Sequence, residues 1–366
     1  NIYTISNHLI LEVRKNGLPE ITIFNLITGS QSDISFEDHA YDVSLSLNDE
    51  KENLKFNYSY SSLTCPESIY SYDLDEKKSN LLWQKNIVGF DKADYEDKRL
   101  FVEVRDGTKV PVILLSKVDI DINNAPILFY GYGSYGINVD ATFRSSILPL
   151  INRGFVFAII NIRGGGEMGK HWYEEGRLLN KMNTFNDFND VIKSVLNQNI
   201  GDSSKVFARG GSAGGLLMGA IINLEPSLYK GILSGVPFVD VLTTMSDPTI
   251  PLTTFEYGEW GNPANINEYN YIKEYSPYDN IGNYNYPAVF VTSSLYDSQV
   301  QYFEPAKYIA KLREYNQSNN NIIMKMNLIG GHGGLSGRLN QFKEISEEYS
   351  FILNLAEEDN KKSPLW

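Results

Sequence analysis

The chain holds one arrangement suited to making an oxygen nucleophile, the run Gly210-Gly211-Ser212-Ala213-Gly214-Gly215. It contains G-x-S-x-G, lies between an apolar strand pattern at 205–208 and a helical pattern beginning near Leu216, and so predicts a sharp strand-to-helix turn with Ser212 at its tip. A serine held there takes a strained backbone conformation, and the residues two positions away on either side must be nearly without side chains. Gly210 and Gly214 meet that need. The competing reading is a glycine-rich turn that opens a helix around a phosphate. No lysine follows the glycines, which removes a P-loop. A serine hydroxyl needs a base, and histidine titrates in the right range. Of the four histidines, His8 and His39 fall in a β-rich stretch and His171 precedes the serine, against the chain order serine, acid, histidine that such turns use. His332 remains, in Gly330-Gly331-His332-Gly333-Gly334 after an apolar strand pattern; the alternative for it is an ordinary surface-loop histidine. The acid that would orient its ring belongs after the strand at 288–292, where Asp297 stands. Asp240, after the strand at 232–236, is the competing choice. The backbone N–H of Ala213 follows from the turn as one donor to a developing oxyanion.

These residues need elements to place them. From Arg99 onward a hairpin pattern, 100–104 and 110–115 around Asp106-Gly107, leads into alternating strands and helices. Apolar runs at 127–130, 155–162, 206–208, 232–236, 288–292 and 322–328 suit a sheet covered on both faces. Phe185, Phe188, Ile192, Val195 and Leu196 share one helical face with Asn183 or Thr184 placed to cap it, and Phe342, Ile345, Tyr349, Ile352 and Leu353 share another. The pattern predicts an α/β-hydrolase fold, a mostly parallel, doubly wound sheet whose site lies at the carboxyl ends of its strands. Before it, short strands at 2–5, 9–14, 21–25, 41–47, 54–59 and 69–73 with breaks at Asn16-Gly17 and Thr28-Gly29 read as antiparallel β. The expected division is residues 1–88 and 89–366.

The bulk composition narrows the function classes. A formal charge of -13 argues against nucleic acid and mildly favours cationic ligands. No apolar run approaches the length that spans a bilayer, and residues 1–11 lack the basic start and apolar stretch of a signal peptide. The single cysteine, Cys65, cannot form an internal disulfide and suits a reducing cytoplasm; it is a poor nucleophile candidate. No metal or organic cofactor is expected. The chain starts at Asn1 without a methionine, consistent with processing or with an incomplete sequence.

Beyond these arguments, ordered matches over 95–350 resemble the prolyl oligopeptidase family of serine peptidases, above all its oligopeptidase B branch. They are the runs 130–136 (YGYGSYG), 161–167 (NIRGGGE), 183–187 (NTFND), 210–215 (GGSAGG), 235–240 (GVPFVD), 259–263 (EWGNP), 296–301 (YDSQVQ) and 332–334 (HGG). The resemblance implies the triad Ser212, Asp297 and His332, adds the Tyr132 hydroxyl as a second oxyanion donor, and makes residues 1–88 look like the last blades of a β-propeller. It also implies short peptide substrates cleaved after Arg or Lys. Gln299 stands where prolyl oligopeptidase proper carries Arg. Glu256 matches the first acid of a Glu-x-Glu pair for the first pocket, with Gly258 in place of the second. Asp140 matches one acid of a second pair for the next subsite, with Thr142 in place of the other. The rival readings are a carboxylesterase or acyl-peptide hydrolase on the same triad, and an inactive fragment that keeps the fold as an interaction module.

Overall fold

A computed structural model of the chain describes residues 1–46 and 54–357. Leu47, expected to close a strand, and 358–366, expected in the second unit, lie outside the described residues.

Eight strands form the large sheet: β1 (Tyr95–Glu103), β2 (Lys109–Lys117), β3 (Ile127–Tyr130), β4 (Val156–Ile160), β5 (Val206–Gly211), β6 (Gly231–Gly235), β7 (Ala288–Ser294) and β8 (Ile322–Asn327). Their spatial order is β8-β7-β6-β5-β3-β4-β2-β1. The pairs from β4 through β3 to β8 are parallel, whereas β2 runs antiparallel to both β4 and β1. The hairpin expected around Asp106-Gly107 is this β1–β2 pair, with Leu100 opposite Val112. Side chains of a strand point alternately to its two faces, so a sheet covered on both sides needs apolar residues at every position. Accordingly Val156, Ala158 and Ile160 of β4 enter one core cluster while Phe157 and Ile159 enter the other. The first cluster is closed by helices α1 (Met182–Asn197), α2 (Ala213–Leu224) and α3 (Phe303–Tyr315), the second by α4 (Arg338–Glu357).

Strand order reverses at β3, whose neighbours are β4 on one side and β5 on the other. The chain leaves the carboxyl ends of β3 and β5 side by side, the position where open α/β sheets bind ligands. Here β5 delivers Ser212 and β3 delivers the run from Gly131 to Gly136.

The expected side-chain cap on α1 is not formed. A 3-10 turn, Leu178–Asn180, runs straight into the helix, and Lys181 at the boundary is already right-handed helical. Thr184 therefore lies inside the first turn, where its hydroxyl donates to the Arg163 and Gly176 carbonyls, and the Asn183 amide donates to the Glu175 carbonyl.

The four strands within residues 2–33 form one antiparallel sheet, and the strands Tyr41–Ser46, Lys55–Ser62, Ser68–Asp73 and Lys78–Gln84 form another. Ile10, Ile21, Val43, Phe56 and Tyr58 pack between them. Two strands absent from the sequence reading, Gln31–Asp33 and Lys78–Gln84, are sheet edges. Neither carries an apolar alternation, because edge positions are largely exposed.

Candidate active site

Ser212 has φ 57 and ψ -119, a conformation that side chains strongly disfavour. It persists because the turn is bonded on both sides: its N–H donates to the Gly235 carbonyl, and its own carbonyl accepts from Phe238, Gly215 and Leu216. The glycine requirement is borne out sterically, since a Cβ on Gly210 would fall against the carbonyl of Gly214. Helix α2 starts at Ala213, directly after the serine. The first N–H groups of a helix have no partner inside it, so the Ala213 N–H is available to a ligand at Ser212.

His332 Nε2 lies 3.0 Å from Ser212 Oγ, and its Nδ1 lies 2.8 and 2.9 Å from the two oxygens of Asp297. An ionised carboxylate only accepts, so Nδ1 carries the hydrogen and Nε2 is left to accept from the serine hydroxyl. The Asp297 side chain is fully buried. Burial pushes its carboxyl up, but hydrogen bonds from His332 and from the Val300 and Gln299 amides outweigh this and hold it below the ordinary value. The competing acid is placed elsewhere: Asp240 pairs with Lys307.

Tyr132 follows β3. Burial pushes its phenol up to about 12, with an opposing hydrogen bond to Ser212, so it is protonated at neutral pH and able to donate. A pocket beside Ser212 is lined by Ala213, Phe238, Glu256, Gln299 and Tyr135, among others. Glu256 Oε2 accepts from the Tyr135 hydroxyl at 2.6 Å and from Trp260 Nε1 at 2.7 Å, which fixes the carboxylate against the pocket wall. A Cβ on Gly258 would meet nothing within 4 Å. Asp140 is not among the residues lining this pocket. Arg14, on the strand His8–Lys15, donates to both of its oxygens at 2.7 and 2.9 Å. Cys65 is buried, and burial raises its thiol.

Two groups that sequence reasoning assigned no role support this site. Glu259, 4% exposed, accepts from the Tyr135 N–H and the Tyr173 hydroxyl. Lys181, 1% exposed, donates from Nζ to the Gly133 carbonyl at 2.6 Å and to Ser134 Oγ at 2.9 Å. Burial pulls its ammonium down to about 8, against the pull of Glu259. A lysine at the head of a helix reads as solvent-facing, and only the packing of the Gly133 turn over it reveals otherwise.

Among the described residues no cluster of His, Cys, Asp and Glu is placed to hold a metal ion, and no helix is long and apolar enough to cross a membrane.

Residues 141–359 match the prolyl oligopeptidase family, and residues 1–85 match the N-terminal beta-propeller domain of prolyl oligopeptidase. The chain is 45% identical to dipeptidyl aminopeptidase BI of Pseudoxanthomonas mexicana, over 94% of this chain and 48% of that protein. It is 41% identical to protease 2 of Moraxella lacunata, over 96% and 51%. Among solved structures it matches oligopeptidase B from Leishmania major with a TM-score of 0.90 and 36% identity, covering 98% of this chain and 51% of that one. Oligopeptidase B from Trypanosoma brucei with covalently bound antipain, in a closed form, also matches with a TM-score of 0.90, at 35% identity, covering 98% and 52%. The chain spans about half the length of the curated relatives it matches. On the combined evidence of its family match, its relatives and its fold, the chain belongs to the prolyl oligopeptidase family.

Proposed function

We propose that this chain carries the catalytic unit of a serine peptidase that cleaves short peptides through an acyl-enzyme on Ser212, after a basic residue. The observation that carries the reading is the hydrogen-bonded row Asp297, His332, Ser212. In the first half-reaction Ser212 Oγ attacks the scissile carbonyl while His332 Nε2 takes its proton. The tetrahedral oxyanion accepts from the Ala213 N–H and the Tyr132 hydroxyl. His332 then passes the proton to the leaving amine. Water, deprotonated by the same ring, releases the acyl group and restores the serine. Asp297 stays ionised and stabilises the imidazolium. We place the boundary between the propeller-like unit and the catalytic unit at 88/89, in the connection between the strand Lys78–Gln84 and β1. A reducing cytoplasm is the compartment we assign, on the strength of a single buried thiol.

Glu256 supports the basic preference. Its Oε2 is taken by Tyr135 and Trp260, which leaves Oε1 for a substrate cation. A carboxylate about 4 Å from a guanidinium contributes on the order of 4 kcal/mol of Coulomb energy at an effective dielectric near 20, before desolvation is subtracted. Arginine should be favoured over lysine because its planar guanidinium keeps its hydrogen-bond geometry. At Asp140 a substrate cation must compete with Arg14, so selection at the next subsite is weak. A second reading follows from one relative named above, a dipeptidyl aminopeptidase: removal of dipeptides from a free N-terminus.

The test is kcat/KM for matched Arg, Lys, Pro and Phe amides, each with a blocked and with a free N-terminus. The expected result is a preference for Arg that Glu256→Gln removes and Gly258→Glu sharpens. Equal losses on all four substrates in Glu256→Gln would leave only a general peptidase. Activity confined to free dipeptidyl substrates would establish the exopeptidase reading instead.

A further inference from the structure

We infer that Lys181 is a positioning residue for the oxyanion site. Its buried ammonium and the buried carboxylate of Glu259 grip the turn Gly133-Ser134-Tyr135 from opposite ends, so that the turn holds Tyr132 toward Ser212 and Tyr135 against Glu256. The inference rests on the peptidase reading above and adds to it the device that sets the second oxyanion donor.

The turn needs holding. Gly133 has φ +70 and Tyr135 has φ +61, two left-handed residues around Ser134, and for a tyrosine that conformation is unfavourable. Gly133 also has no room to relax. A Cβ there would lie 2.6 Å from Thr184 Cγ2 and 2.7 Å from Ile162 Cδ1, because α1 packs directly on the turn. Lys181, at the head of α1, takes the Gly133 carbonyl and the Ser134 hydroxyl, while Glu259 Oε1 takes the Tyr135 N–H at 2.8 Å. The backbone acceptor at one end of the turn is thus bound by a cation and the donor at the other end by an anion, the stronger kind of hydrogen bond in each case.

The choice of a lysine supports this assignment. Taking an ammonium out of water costs several kcal/mol, and a methionine of similar length would fill the same space without that cost. No carboxylate forms a salt bridge with Lys181 among the described residues; besides its two acceptors Nζ meets the Trp260 ring at 5.1 Å and the Phe185 ring at 5.9 Å, and Glu259 acts on it only at longer range. Trp260 in turn donates to Glu256. The cation therefore binds the turn, and through Trp260 reaches Glu256, but hydrogen-bonds neither Ser212 nor His332. Its effect on the reaction must pass through Tyr132 and Tyr135.

A double-mutant cycle separates this role from a general structural one. The proteins are the parent, Lys181→Met, Tyr132→Phe and the double variant, assayed for kcat and KM on a blocked arginyl amide and for melting temperature. Loss of one oxyanion donor costs about 100-fold in kcat or more, so Tyr132→Phe should show that loss and Lys181→Met a loss of about 10-fold or more, with KM changed less than about threefold in either. In the Lys181→Met background, Tyr132→Phe should cost only the remainder of that loss, because the donor is already misplaced. If Lys181→Met does not fold, Lys181→Gln replaces it, keeping one donor without the charge. Multiplicative losses in the double variant, or full kcat in a folded Lys181 variant, would overturn the inference and leave the peptidase reading standing. Absence of both turnover and fluorophosphonate labelling of Ser212 in the parent would overturn the peptidase reading, and the inference with it.

Discussion

At the scale of single residues, the role of an acid depends on which neighbours its oxygens meet. Asp297 and Asp240 both follow a strand of the same sheet, yet Asp297 receives the His332 ring and two backbone amides, whereas Asp240 receives Lys307. In Asp297→Asn the amide would favour the wrong imidazole tautomer, so kcat should fall on the order of 10⁴-fold with the fold retained. Asp240→Asn should instead leave kcat within a few-fold and lower stability by about 1–3 kcal/mol, since it removes the charge of a buried carboxylate paired with the more exposed Lys307, away from the reacting atoms. Parallel kcat and urea-unfolding measurements on the two variants check this. A rate loss in Asp240→Asn as large as in Asp297→Asn would mean that the wrong acid has been assigned.

At the scale of elements, the site is a junction of three loops at the carboxyl ends of β3, β5 and β7, with His332 arriving from beyond β8. The turn after β5 is the least forgiving of these, because the Gly210 Cα faces the Gly214 carbonyl and α2 begins directly after Ser212. Gly210→Ala must push backbone against backbone, which no side-chain rotation can relieve. The expected cost is about 3 kcal/mol or more, within the range of severe core overpacking, together with loss of fluorophosphonate labelling at Ser212. An alanine variant that melts and labels like the parent would contradict this account of the turn. The strands carrying these loops were legible because each is apolar at successive positions. The start of α1 was misread because the preceding 3-10 turn makes its capping residues unnecessary, and the edge strands Gln31–Asp33 and Lys78–Gln84 were missed because exposure removes their alternation.

At the scale of the whole molecule, burial of isolated carboxyls shapes the response to pH. Glu167 and Glu304, 2% and 1% exposed, are both raised from 4.5 to about 7 by burial, despite hydrogen bonds that oppose the shift. Between those two values the folded chain holds protons that the unfolded chain has released. Their contribution is therefore fully present below 4.5 and is lost as pH rises through 7, on the order of 3 kcal/mol for each group. Carboxyls held low by their partners, such as Asp190 and Asp202, act in the opposite sense, losing their contribution as pH falls below 3.8. Lys181, lowered from 10.5 to about 8, adds stability only as pH rises above 8. Stability should peak near pH 5 and decline toward pH 8. Urea midpoints across pH 4–8 should trace that decline, and Glu167→Gln and Glu304→Gln should each flatten it. A midpoint constant or rising from pH 5 to 8 would refute the assignment.

By itself the sequence determined the features that are local or periodic. The glycines around Ser212 announce a crowded turn, the runs of apolar residues announce a sheet covered on both faces, and the chain order of serine, acid and histidine singles out His332. Tertiary structure decided what depends on groups distant in the chain. Arg14 reaches Asp140 across 126 positions, and Lys181 reaches Gly133 across 48. A charged side chain carries no local mark of its partner. Whether it is solvated, paired or buried under a turn is fixed only when the packing of other elements removes its water and leaves it particular atoms to bind.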